Sequence, residues 1–202
     1  MIIDLSSLAP RDAHDLLTSA LIPRPIAWVT SISRDGRVNL APFSFFSGVT
    51  WHPPTLCISV VNRHDGSRKD TVVNIEETGH FVVNTVSEEM GERMVATSAT
   101  VPRDVDEARS AGVALAPATR IAAPRVAEAR IAFECERDRI VTVGAGPHGA
   151  NLILGRIVAM HVDPEILASE NRIDSNRSRL LGRLSGSQYC RLRSIVEIAP
   201  PE

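Results

Sequence analysis

The sequence predicts a mainly β protein with flanking helices, arranged as an antiparallel barrel. Three observations lead there. Strand-length apolar runs follow closely from Pro23 to Val61, separated by turn signals at Asp35-Gly36 and Pro53-Pro54. Two longer apolar runs flank the glycine-rich turn Gly144 to Gly149. Strands and helices do not alternate regularly, which disfavours a doubly wound parallel sheet.

Each element has a local cause. Pro10 to Ala20 reads as an amphipathic helix with Ala13, Leu16, Leu17 and Ala20 on one face, stopped by Pro23 and Pro25. Ile26 to Ser33 is a strand rich in β-branched residues, and Val38 to Ser47 returns as the second, with Pro42 implying a bulge or an edge position. Thr55 to Val61 is a short buried strand, and Asn62 to Lys69 a polar loop. Asp70 to Thr78 fits a helix closed by Gly79. Phe81 to Val86 is a strand, followed by a helix with Ser87 as N-cap and Met90, Met94 and Val95 as its apolar stripe. Asp104 to Ala111 is a weak helix. Arg125 to Val143 and Leu152 to Val162 read as two arms of a hairpin, with a last strand near Arg193 to Ile198.

The bulk properties bound the function. The 202 residues suit one domain over 1–202, with a barrel core at about 20–165 and a tail at 166–202 packed on the core or on a dimer partner. Apolar residues at 44% and a net charge of -2 indicate a packed globule with no electrostatic reason to seek nucleic acid or an anionic membrane. Cys57, Cys135 and Cys190 form no CxxC pair, and no secretory signal or bilayer-spanning run is visible, so the expected setting is a reduced cytoplasm.

Several motifs bear on chemistry. Gly144-Ala145-Gly146-Pro147-His148-Gly149 matches GxGxxG, but Pro147 and the alternating run that follows favour a hairpin turn over a dinucleotide fingerprint. Ser67-Arg68-Lys69-Asp70-Thr71 enters a helix N-terminus, where free N–H groups attract phosphate; a capped helix with a solvated charge pair is the alternative. Thr30, Ser31, Asn39 and Ser44 interrupt apolar strands, beside Ala41, Pro42, Phe43 and Phe45. Polar groups in such a setting need partners, supplied either by the protein or by a flat polar ligand. The histidines fit no metal-ligand spacing, so no metal is expected, and no GxSxG elbow is present. The arginines from Arg172 to Arg193 read as a solvated face or a second phosphate site.

Taken in order, PRPIAWVTSIS, DGRVNLAPFSFF, HPPTLCISV, DGSRKDTVVNIEETGHFVVN, NLILGRIVAMHVD and GRLSGSQYCRL resemble the flavin reductase-like family with its FMN-binding split β-barrel, flavoredoxin-like proteins included. The resemblance runs from about Pro23 to Leu192. It implies an antiparallel Greek-key type barrel and a homodimer with flavin near the interface. It further implies that Thr30, Ser31, Asn39, Ala41, Ser44, Phe45 and Ser59 line the flavin, that Ser67, Lys69, Asp70 and Thr71 meet its phosphate, and that Tyr189 closes the site. The implied activity is hydride transfer from NADH or NADPH to FMN, with the reduced flavin serving a monooxygenase partner or another acceptor. An FMN-binding electron-transfer or storage module shares the same pattern. No single catalytic acid or base is implied. The sequence departs from the family where Gly155 is followed by Arg156 rather than Glu, and where Ser185 precedes Gly186.

Overall fold

Apolar and β-branched residues at alternate positions carry seven strands into one antiparallel sheet. The computed structural model describes residues 1–192, 194–199 and 201. Its strands are β1 (Ala27–Ile32), β2 (Val38–Phe43), β3 (Phe46–Trp51), β4 (Pro54–Val61), β5 (His80–Asn84), β6 (Leu115–Ala116), β7 (Arg125–Val126), β8 (Ile131–Val143), β9 (Ala150–Val162), β10 (Leu167–Ser169), β11 (Arg172–Ile173), β12 (Leu181–Arg183) and β13 (Tyr189–Arg191). The helices are α1 (Pro10–Ala20), α2 (Asp70–Thr78), α3 (Gly91–Ala96), α4 (Glu107–Ser110) and α5 (Ser175–Ser178).

The large sheet has the order β2-β1-β5-β8-β9-β4-β3. Its two edge strands, β2 and β3, are consecutive in the chain and joined only by Ser44 and Phe45. Two residues cannot span an open seven-stranded sheet, so the sheet must curl until its edges meet. The edges are not hydrogen-bonded neighbours, and this leaves a split barrel. The Ser59 N–H on β4 ties the junction by donating to the Phe45 carbonyl at 2.8 Å.

Leu56, Ile58, Val72, Ile75, Phe81 and Ile153 fill the barrel, with α2 as its plug. A second cluster, Trp28, Leu40, Met90, Met94 and Val126, lies on the other face of β1 and β2. Burying each large apolar side chain in these clusters contributes about 1.5–3 kcal/mol before entropy. Gly155 has a packing reason: a Cβ there would sit 2.3 Å from the Phe81 ring. The adjacent Arg156 pairs across the hairpin with Glu136, so the departure from the family pattern at this position is a cross-strand ion pair.

The structure refines several expectations. The run 38–47 divides at Ser44 into β2 and β3, with Pro42 on an edge strand as its missing N–H requires. The run 125–143 divides into β7 and β8. The glycine-rich turn closes the β8–β9 hairpin and opens no α-helix. Ser87 stands at an N-cap without a side-chain cap bond, and the helix begins as a 3-10 turn at Glu88–Met90. Val95, expected in the buried stripe with Met90 and Met94, is exposed. The last strand falls at Tyr189–Arg191; residues 194–198 carry none, and Arg193 lies outside the described residues. On α1 the expected apolar face is largely open, with Leu17 43% exposed, and Thr18 is buried instead.

Candidate functional site

The edge strand β2 presents a groove outside the barrel, bounded by residues 63–71, 97–101 and the β12–β13 hairpin. Two adjoining cavities make up the groove and share Pro42 and Ser98.

The first cavity is small, about 90 Å³, and polar, lined by Asn39, Ala41, Arg63, Lys69, Thr71 and Glu107 among others. It sits at the N-terminus of α2, whose N-cap is Lys69. Burial, and secondarily the Arg63 charge, pull the Lys69 ammonium below its usual pKa. The ammonium stands 5.6 Å from the Phe43 ring centroid. Among the described residues no carboxylate lies within 4.0 Å of it. Its neighbours are already paired: Arg63 holds Asp70 at 2.5 Å, and Arg103 approaches Asp70 from the other side at 3.8 Å. Thr71 is buried and bonded to the Asn39 amide at 2.9 Å. The network is best satisfied with the Asn39 oxygen accepting from Thr71 and Leu40 N–H, and the amide nitrogen donating to Glu107 at 3.2 Å. Burial pushes the Glu107 carboxyl above the ordinary range; its own N–H and that of Leu40 pull it back, and Asp70 and Asp106 add to the rise. The 97–101 wall is pinned by Trp28, whose indole N–H donates to the Thr97 hydroxyl at 2.9 Å.

The second cavity is larger, about 420 Å³, and mostly apolar, with Ile26, Phe43, Met94 and Tyr189 in its wall beside Ser44 and Arg183. Arg183 donates to the Tyr189 hydroxyl and to the Gly186 carbonyl, with its guanidinium 4.6 Å from the Tyr189 ring centroid. Gly186 takes φ 53°, which a glycine accepts without strain, whereas Ser185 needs no such conformation. Behind the wall, Arg24 is 7% exposed. Its guanidinium donates to the carbonyls of Thr18 and Leu21 at 2.5 Å each, to Leu184 O at 2.8 Å and to Ser44 Oγ at 3.2 Å.

Seven of the residues that the sequence nominated meet in this groove: Asn39, Ala41, Ser44, Lys69, Asp70, Thr71 and Tyr189. The other five line neither cavity. Thr30 donates to Pro124 O, and Ser31 accepts from Asn74 at 3.2 Å, so both hydroxyls have partners inside the protein. Phe45 lies under Arg24, with 5.9 Å to its ring centroid; Ser59 acts through its backbone, and Ser67 closes a turn on Asp65 at 2.6 Å. Arg68 turns away to Glu76 at 2.6 Å. Sequence reasoning missed Arg24, Arg63 and Glu107. Arg63 lay in a segment read only as a polar loop, and Arg24 gave one legible signal, a cation between two prolines in an apolar run.

A family model for the flavin reductase like domain matches residues 19–178. The chain is similar to nitrilotriacetate monooxygenase component B from Bacillus cereus, at 33% identity and TM-score 0.93, covering 98% of both chains. It is also similar to 2-nitrobenzoate 2-nitroreductase NbaA from Pseudomonas fluorescens, at 35% identity and TM-score 0.90, covering 100% of this chain and 96% of that one. Flavoredoxin of Desulfovibrio vulgaris shares the fold, at 20% identity and TM-score 0.75 over 88% and 91% of the two chains.

Proposed function

The chain belongs to the flavin reductase-like family, and from that premise we propose that it is an FMN-dependent oxidoreductase using NADH or NADPH. The cofactor is held without a covalent bond along the β2 groove, with its phosphate at the Lys69 end. The observation that carries this reading is the Lys69 ammonium, desolvated and without a carboxylate partner among the described residues, at the N-terminus of a nine-residue helix. A buried cation is stable when an anion joins it, and helix N–H groups complete such a site. FMN, when bound, supplies a ring that accepts hydride and passes electrons on.

The chain's own residues orient and shield. Thr71 and Asn39 hold the polar segment between phosphate and ring. Ala41, Pro42 and Phe43 offer the apolar side of β2 to a flat ring, and Tyr189 covers the far end. The relatives named monooxygenase component B and nitroreductase support a small-molecule or partner-enzyme acceptor. The exposed apolar residues Val49 and Trp51 on edge strand β3 support a homodimer.

The test is the visible spectrum of the protein with FMN, before and after NADH or NADPH without air. Bound flavin that bleaches within seconds is the expected result. Bound flavin reduced only by dithionite would make the protein an electron-transfer module. Absence of both bound flavin and NAD(P)H oxidation with free flavin would overturn the reading.

A further inference from the structure

The second cavity carries a charge that no carboxylate among the described residues answers. Among the described residues, no carboxylate lies within 4.0 Å of either Arg24 or Arg183, and no Asp or Glu lines this cavity. Burial weakens the proton affinity of the Arg24 guanidinium, and the Arg183 charge weakens it further. This occurs on a chain whose net charge is -2. Buried or half-buried guanidiniums are ordinarily matched by carboxylate or phosphate.

Arg183 and Ser44, which line the cavity, both have donors left over. Arg183 spends one N–H on Tyr189 and one on Gly186 O, out of about five that a guanidinium offers. Ser44 Oγ accepts from the Arg24 guanidinium, so its own hydroxyl proton is free to donate, and no acceptor for it is found among the described residues. Both residues sit on a wall that Ile26, Phe43 and Met94 make largely apolar, with further hydroxyls from Ser98, Ser187 and Tyr189. A cavity of about 420 Å³ with apolar walls and a few fixed polar groups is of the size and chemistry that hold small organic ligands.

We propose that this cavity binds a small planar carboxylate, an aromatic or conjugated acid, with its carboxylate on Arg183 and the Ser44 hydroxyl and its apolar body between Met94 and the bound flavin. The proposal rests on the flavin lying in the same groove and names the class of molecule that meets it there. Arg183 is the specificity residue, and Arg24 a positioning residue that acts through Ser44. A nicotinamide dinucleotide also carries anionic groups, and inorganic pyrophosphate serves as the probe for them.

The test is calorimetric titration of the FMN-loaded protein with benzoate, benzamide and inorganic pyrophosphate, with FMN affinity measured separately for each variant. Benzoate is expected to bind about tenfold or more tightly than benzamide, as a charge-assisted pair should. Arg183→Gln should abolish that preference, Arg183→Lys should restore part of it, and FMN affinity should fall by no more than a few-fold, through the lost hold on Tyr189. Equal binding of acid and amide, or a preference that survives Arg183→Gln, overturns the proposal. Pyrophosphate binding more tightly than benzoate would assign the arginine to a phosphate instead. Loss of FMN affinity in Arg183→Gln would assign it to the cofactor, and failure of the unmodified protein to take up FMN would overturn the flavin reading itself.

Discussion

The two ends of the β2 groove solve opposite electrostatic problems. At the α2 end, cations and carboxylates are interleaved: Arg63 with Asp70, Arg103 behind it, and Glu107 against Asn39. Among the described residues there, Lys69 is left without a carboxylate partner. At the hairpin end, the Arg183 guanidinium lines a largely apolar cavity with Arg24 behind its wall, and among the described residues no acid lines it. The first arrangement fixes its side chains through mutual bonds and offers one preorganised anion position, which suits a cofactor that stays. The second keeps open volume and unspent donors, which suits a ligand that comes and goes.

The largest effect should come from breaking the hairpin end through Arg24. Its guanidinium bonds the C-terminal carbonyls of α1, the 184 loop and Ser44 at once. Arg24→Met removes those bonds, and the expected loss is about 2–4 kcal/mol, within the range for hydrogen bonds from charged donors. Chemical denaturation would measure it, and limited proteolysis should cut within 1–22 before the barrel opens. Retained stability with an intact N-terminus would mean that α1 is held by something else.

Breaking the α2 end is expected to be selective rather than global. Lys69→Ala with Thr71→Ala should weaken FMN binding about a hundredfold, the scale of one charge-assisted and one neutral hydrogen bond lost. With FMN at saturation, benzoate binding at the hairpin end should be unchanged. Unchanged FMN affinity in a flavin titration would remove the phosphate from this position.

The contrast between the ends shows what the sequence could and could not convey. Strand periodicity, Asp35-Gly36, Gly79 and the Gly144 to Gly149 turn act within a few residues, so the barrel and most of its boundaries were readable. The polar ladder was readable as a set of residues but not as a face. Thr30 and Asn39 look alike in sequence, yet one is bonded to Pro124 and the other opens to the groove. That difference depends on which loop lies over each strand, and the loop holding Pro124 is many residues away. Arg24 and Arg183 are brought together by the bridge from Arg24 to Arg183, a long-range contact with no local signal.

A region outside both ends provides a reference. Glu134 is fully buried on β8, and burial alone would raise its pKa. The His161 imidazole, the N–H groups of Thr119 and Arg120, and the Thr119 hydroxyl reverse this and hold it at about 2. Because the folded value lies below the unfolded one of 4.5, its stabilisation is present above that value and is lost as pH falls from about 5 toward 2. Glu134→Gln should cost about 1–3 kcal/mol at pH 7 and flatten the acid limb of a stability profile. FMN and benzoate affinities should both be spared, so a loss at only one end would mean that the 119–120 loop is coupled to that end.

The smallest effect sharpens the comparison at a single carboxylate. Glu107 lies in the polar cavity with its pKa raised, first by burial and then by Asp70 and Asp106. Below the unfolded value of 4.5 both states are protonated and the site carries no penalty. As pH rises past that value the unfolded chain ionises first, so stability declines until the folded carboxyl also releases its proton. Glu107→Gln keeps an oxygen for the Leu40 N–H and removes the charge. It should leave stability unchanged near pH 4 and raise it at pH 7, the direction that a raised carboxyl pKa requires. It should also tighten FMN binding a few-fold at pH 7, because the phosphate would no longer share its cavity with a carboxylate, while benzoate binding at the hairpin end should not change. Weaker FMN binding in this variant would show that the carboxylate orients Asn39 toward the cofactor. The interleaving of charges at the α2 end would then serve geometry before electrostatics.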